Sequence, residues 1–213
     1  MTDSNYTAML IILDRSGSMS AIRDDMVGGL ESLLATQAAE PGLLTIDIVT
    51  FDDQIELTHS FAQPEDVKIE LVPRGGTALY DAVGRSLNGF GEALANLPEH
   101  ARPGTVLVTI VTDGEENSST EYSPEVIAKL IAQQRDKYQW DITFLGANQD
   151  AILEARKMGI EESAALTYST TAGGVSSALR AQSRKAADRR RGMDTGFLPS
   201  ERGAALDDEA PTH

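Results

Sequence analysis

The chain has 213 residues, of which 41% are hydrophobic and 24% charged, an ordinary balance for one soluble globular domain with a real core. It has no cysteine, and its histidines, His59, His100 and His213, stand far apart, which excludes a disulfide framework, a thiolate metal site and a Cys/His zinc site. A formal net charge of -15 argues against nucleic acid as the main partner and favours a bound cation or a basic partner surface.

Met1-Thr2-Asp3-Ser4-Asn5 carries no basic or apolar leader pattern, and no later apolar run approaches the length of a membrane span. The chain is therefore read as cytoplasmic. The first strong element is Met9-Leu10-Ile11-Ile12-Leu13, a continuous apolar run that predicts a strand buried on both faces. It ends in the polar turn Asp14-Arg15-Ser16-Gly17-Ser18. Ile22, Met26, Leu30, Leu33 and Leu34 then recur at helical spacing to about Gln37, and Pro41-Gly42 ends the helix. Residues 43–51 predict a second strand. Asp52-Asp53 offers a tight turn, and residues 54–61 alternate as an antiparallel partner at a sheet edge.

Pro73-Arg74-Gly75-Gly76-Thr77 is a second loop, followed by a helix over about 78–97. Residues 105–112 form a third strong strand ending in Asp113-Gly114-Glu115-Glu116-Asn117, and Pro124 opens the next helix. A strand over 140–146, a short helix over 150–158 and a strand over 164–168 complete the pattern. Strands alternating with helices at this spacing imply an α/β sheet with helices on both faces and right-handed crossovers.

Three loops thus reach one sheet edge, where open parallel sheets bind ligands. They bring the carboxylates Asp14 and Asp113 and the hydroxyls Ser16, Ser18 and Thr77. This all-oxygen set suits Mg²⁺ or Mn²⁺ better than zinc or copper. Each piece has a plainer reading. Ser16 and Ser18 can satisfy turn amides or cap the next helix, Thr77 can be an N-cap, and Asp113-Gly114 is a common turn pair. Their order at successive strand ends favours the metal.

With these motifs, residues 6–168 resemble a von Willebrand factor type A (vWA) domain of the bacterial intracellular type. Asp14-Arg15-Ser16-Gly17-Ser18, Gly75-Gly76-Thr77 and Val111-Thr112-Asp113-Gly114 match the three loops of its metal-ion-dependent adhesion site, with no site position departing. The resemblance implies a doubly wound, Rossmann-like, mainly parallel sheet with one antiparallel edge strand. It also implies a divalent ion held by Asp14, Ser16, Ser18, Thr77 and Asp113. The partner it implies is a protein offering an Asp or Glu to that ion, and an AAA-type ATPase is a partner of some relatives. Glu115, Glu116 and Asn117 are placed on the rim, where acids repel an acidic ligand unless turned away.

No Gly-x-Ser-x-Gly elbow and no phosphate-binding Gly-x-x-x-x-Gly-Lys loop is present, so a binding module is expected rather than an enzyme. A metal-dependent phosphohydrolase and an assembly scaffold with a vestigial site are the alternatives. Beyond residue 168 the composition changes. Residues 169–192 predict a basic helix with a thin apolar stripe, bearing Arg180, Arg184, Lys185, Arg189, Arg190 and Arg191. It either docks on the acidic domain or offers nucleic acid or an acidic partner a contact surface. Residues 193–213 read as a flexible acidic tail, in which Asp207, Asp208 or Glu209 can act as a pseudo-ligand for the metal.

Overall fold

The computed structural model describes residues 2–147 and 151–207. Strand β1 spans Asp3–Asp14 and helix α1 Arg23–Ala39, with a 3-10 turn at Gly17–Ala21 between them. β2 is Leu43–Phe51, β3 Ile55–Ala62, α2 Leu79–Asn96 and β4 Pro103–Thr112. Then come α3 Pro124–Tyr138, β5 Asp141–Gly146, α4 Ala151–Lys157 and β6 Ala165–Thr167. Two further helices follow, α5 over Ala172–Arg190 and α6 over Pro199–Leu206.

The sheet order is β3-β2-β1-β4-β5-β6. Every neighbouring pair is parallel except β2 with β3, which is the expected antiparallel edge. The chain winds to one side of β1 and then to the other, so the switch point lies between β1 and β4. Asp14 closes β1 and Asp113 follows β4, one on each side of it.

Strand periodicity divides β1 between two cores. Ala8, Leu10 and Ile12 face Val83, Leu87 and Phe90 of α2 and Ile127 and Ile131 of α3. Met9, Ile11 and Leu13 face Met26, Leu30 and Leu34 of α1 and Val175 and Leu179 of α5. Local signals act as they should at α3, where Ser123 caps the helix by accepting from Val126 N and Pro124 takes the first turn.

The segment beyond residue 168 follows the docking reading of its helix, but docks more deeply than a thin apolar stripe implies. α5 lies in the second helical layer against α1, and Gly173, Gly174, Val175, Ala178, Leu179, Ala181, Gln182, Lys185 and Ala186 are buried in it. The folded unit therefore runs past residue 168. Lys185 is the buried one among the six cations of residues 169–192, and all but Arg180 bond other segments of the fold. Lys185, 3% exposed, pairs with Asp141 at 2.7 Å. Arg184 forks onto Glu201 at 2.6 and 2.8 Å and also reaches Asp188, Thr195 and the Gly196 carbonyl. Arg190 donates to the Gln37 and Pro41 carbonyls, Arg191 to Glu40 and Arg189 to the Gln139 carbonyl. Arg180 bonds Ser177 of its own helix.

The expected flexible tail contains α6. Phe197 and Ala205 are buried, and Ser169 N donates to Ala205 O at 2.8 Å. Arg202 donates to the Ala165 and Glu162 carbonyls, so part of the β6 edge is covered by a side chain rather than left open. Asp207 is exposed at the end of α6, and Asp208, Glu209 and His213 lie outside the described residues. Among the described residues no helix is long and apolar enough to cross a membrane.

Candidate metal centre

Asp14 is fully buried at the end of β1. Its Oδ1 accepts from Ser16 N at 2.6 Å, and its Oδ2 accepts from Thr112 Oγ1 at 2.5 Å. The first bond tightens the turn after the strand. The second ties it to the neighbouring strand β4, so the carboxylate is fixed across the switch point. Burial dominates its titration and lifts the carboxyl to about 6, while its hydrogen bonds to Thr112 and Ser16 oppose the rise. Burial also pushes Asp113 upward, against the Ser18 hydroxyl.

The serines do not serve the backbone. Ser16 precedes the 3-10 turn but makes no side-chain cap. Its Oγ lies 3.0 Å from Ser18 Oγ, and Ser18 Oγ donates to Asp113 Oδ1 at 2.7 Å. Gly114 shows what the groups surround. A Cβ there would lie 2.7 Å from Thr77 Oγ1, 3.4 Å from Ser16 Oγ and 3.5 Å from Asp14 Oδ2. The oxygens of all three loops therefore line one cup, with Gly114 as its floor.

That cup fits a small hard cation. The donors are two carboxylates and three hydroxyls, and octahedral Mg²⁺ at 2.0–2.1 Å requires adjacent oxygens about 3 Å apart. The Ser16–Ser18 and Ser18–Asp113 spacings are near that edge length. Among the described residues no group of three or more His, Cys, Asp or Glu can hold a metal, so any ion here depends on the hydroxyls.

The second loop is braced from below. Gly75 has φ +66, which favours glycine, and its carbonyl accepts from Gly17 N at 3.3 Å. A Cβ on Gly76 would meet Ser118 Oγ at 2.3 Å and Asp53 Oδ1 at 2.7 Å, so any larger residue would have to displace these side chains. Arg15, side-chain exposure 9%, donates to Asp52 at 2.8 Å and Glu56 at 2.7 Å. Arg74 shares both acids at 2.7 and 3.2 Å. The first loop is thus clamped to the β2–β3 turn and the second.

All five residues named from sequence, Asp14, Ser16, Ser18, Thr77 and Asp113, come together. Thr77 is not the N-cap of α2. Ala78 holds that place without a side-chain cap, and Thr77 N donates to Asn117 Oδ1 at 2.9 Å. The rim placement is corrected for Glu116 and Asn117. Glu115 is exposed, but Glu116 turns down, accepting from Tyr80 N at 3.1 Å and Ser119 Oγ at 2.7 Å. Asn117 braces Thr77 rather than facing a ligand. Thr112 and Asp81 escaped sequence reading. Thr112 stands inside the third motif with no role given to it. The Asp81 carboxylate accepts from Thr120, Glu121 and Tyr122 N–H groups at 2.8, 2.9 and 2.8 Å. An acid in the first turn of a predicted helix was the available signal for Asp81.

No family model and no curated protein matches the sequence. Solved structures do. The proximal thread matrix protein 1 from the mussel byssus, with a zinc-occupied MIDAS motif, superposes with a TM-score of 0.62 at 17% identity, over 86% of this chain and 46% of that one. A von Willebrand factor type A protein from Catenulispora acidiphila gives 0.60 at 19% identity, over 86% and 43%. The manganese-loaded TRAP protein of Plasmodium vivax gives 0.57 at 12% identity, over 78% and 70%. The chain spans less than half the length of the mussel and Catenulispora proteins. At these identities the likeness shows the fold, which is that of vWA domains.

Proposed function

We propose that this chain is a metal-dependent adhesion module, cytoplasmic and without catalysis of its own. Asp14, Ser16, Ser18, Thr77 and Asp113 hold Mg²⁺ or Mn²⁺. The bound cation supplies an electrophilic position for a carboxylate oxygen from an Asp or Glu of a protein partner, of which a component of an AAA-type ATPase assembly is one class. The observation that carries this reading is the convergence of Asp14 and Ser16 oxygens from the first loop and the Thr77 hydroxyl from the second on Gly114 of the third. Hydroxyls placed for capping or turn formation would not share one cup.

Binding is favoured over hydrolysis by what touches the serines. The Ser16 and Ser18 hydroxyls bond each other and the cup carboxylates Asp14 and Asp113, and a nucleophilic serine needs a base with an orienting group behind it. The zinc and manganese forms of the mussel and Plasmodium proteins support a divalent ion in this fold.

The test has two stages. Calorimetry with Mg²⁺ and Mn²⁺ should give saturable heats that Asp14→Ala abolishes, and their absence removes the metal reading. Capture from host lysate then compares wild type with Mg²⁺, wild type with EDTA and Asp14→Ala with Mg²⁺. A protein retained only in the first arm identifies the partner. Equal retention in all three transfers the role to a scaffold with a vestigial site. Release of phosphate from generic esters, lost in Asp14→Ala, would replace adhesion with hydrolysis.

A further inference from the structure

On the sheet face covered by α2, a cavity of about 280 Å³ opens between β2, β3 and α2. Leu10, Val49, Ile55 and Phe90 give it apolar walls. Two buried polar residues also line it, Asp47 at 3% exposure and Ser86 at 6%. Asp47 pairs across the sheet with Leu10, four residues before Asp14, so it lies about 13 Å down the strands from the metal cup. Neither polar residue has a part in the cup.

Both are hard to explain by the fold alone. Asp47 Oδ1 accepts from Phe61 N at 2.9 Å, and Ser60 provides a further hydrogen bond. These partners are neutral, and burial pushes the carboxyl above the usual carboxylate range. Phe61 has φ +47, a strained conformation for a bulky residue, and the Asp47 bond helps to hold it. An asparagine would accept the Phe61 N–H equally well but would not supply a charge. Ser86 Oγ is buried without a hydrogen-bond partner, an exception in native interiors.

A carboxylate and a spare hydroxyl in an otherwise apolar slot are complementary to a cation with a hydrocarbon body. The volume is near the lower end of the range for ligand pockets, about 300–1,000 Å³, which points to a small molecule. Arg85, at the rim, is already turned onto Glu121 at 2.6 Å. We infer that this cavity binds a small organic amine in its protonated form, the ammonium directed to Asp47 and Ser86 and the hydrocarbon packed on Leu10, Val49 and Phe90. This site is independent of the metal cup.

The test is a heteronuclear NMR titration of the full chain with phenethylamine, phenethyl alcohol and phenylpropionate. The amine should bind saturably, shifting the amides of Asp47, Ser60, Phe61 and Ser86. The alcohol should bind about tenfold more weakly, because one charge-assisted hydrogen bond is lost, and the acid should not bind. Asp47→Asn keeps the Phe61 acceptor and should weaken the amine about tenfold while leaving the alcohol unchanged. Gly89 lines the cavity, and a Cβ there meets nothing within 4 Å. Gly89→Leu should therefore fill the space and abolish binding of both ligands without lowering Tm, since leucine is the better helix former. Absence of saturable amine binding, equal affinity for the three probes, or amine binding unchanged in Asp47→Asn would overturn the inference.

Discussion

Asp14 pays for its position between the strands with burial, and the cost has a sign that can be worked out. Its carboxyl is raised from 3.8 to about 6, so the metal-free native state binds more protons than the unfolded chain between those values. The contribution of Asp14 to the stability of the metal-free protein should fall as pH rises from about 4 through 6 and then level off, by on the order of 3 kcal/mol relative to Asp14→Ala. A divalent ion needs the ionised form and relieves this penalty, so protons and metal compete. Mg²⁺ should accordingly raise Tm more at about pH 7.5 than at about pH 5, and its affinity should fall roughly tenfold for each pH unit below 6. Calorimetric titration across that range checks it, and a pH-independent affinity would remove Asp14 from the ligand set. Gly114 gives a second test at this scale. Its φ is not positive, so alanine can adopt the backbone, but the added methyl would lie 2.7 Å from Thr77 Oγ1. Gly114→Ala should leave the unfolding free energy of the metal-free protein within about 1 kcal/mol of wild type while weakening Mg²⁺ at least about tenfold. A large loss of metal-free stability would instead make Gly114 a folding requirement.

At the scale of elements, the start of α2 is capped from another part of the chain. Tyr80 N donates to Glu116 and Asp81 N to Ser119 Oγ, while Asp81 returns its carboxylate to three backbone N–H groups of residues 120–122. This is the reciprocity of a capping box built between segments 36–41 residues apart. It holds the loop carrying Thr77 against the loop carrying Asp113 and Gly114. Asp81→Ala should cost about 2 kcal/mol in chemical denaturation, because it strips a carboxylate from three part-buried amides. It should also weaken metal binding without touching a ligand. If denaturation shows a surface-like change below about 0.5 kcal/mol, the brace is dispensable. The same loop shows where sequence reading stops. Asp14, Ser16, Ser18, Thr77 and Asp113 were legible because each sits at the end of a strongly apolar strand or behind a glycine pair. Glu116 and Asn117 could be placed at the right turn but not oriented. Their direction depends on α2 amides and on Thr77, both distant in sequence.

For the whole molecule, the parallel strands and the first five helices were legible from periodicity, whereas the depth to which α5 is buried and the existence of α6 were not. α5 buries Gly173, Gly174, Ala178, Ala181 and Ala186, and small residues that permit close packing look like weak hydrophobicity in sequence. Its buried Lys185 looks like part of a basic face, and Gln182 like a polar interruption of the apolar stripe. Gln182 Nε2 donates to Thr109 and Lys185 to Asp141, 73 and 44 residues away. Arg184 likewise reads as surface charge until Glu201 is brought to it by the turn into α6. These contacts make α5 and α6 part of the domain rather than an appendage. Val175, Leu179 and Phe197 together contribute roughly 5 kcal/mol by burial, which is comparable with the stability margin of a whole domain, about 5–15 kcal/mol. A chain ended at Tyr168 would leave Met9, Ile11, Leu107, Val111 and Leu145 without the cover that completes their core, and Asp141 without its ammonium. It should show no cooperative unfolding transition by calorimetry, while a chain ended at Asp207 keeps every contact described and should unfold as the full protein does. A cooperative transition in the shorter chain would return the domain boundary to residue 168 and make α5 and α6 separable from the metal cup.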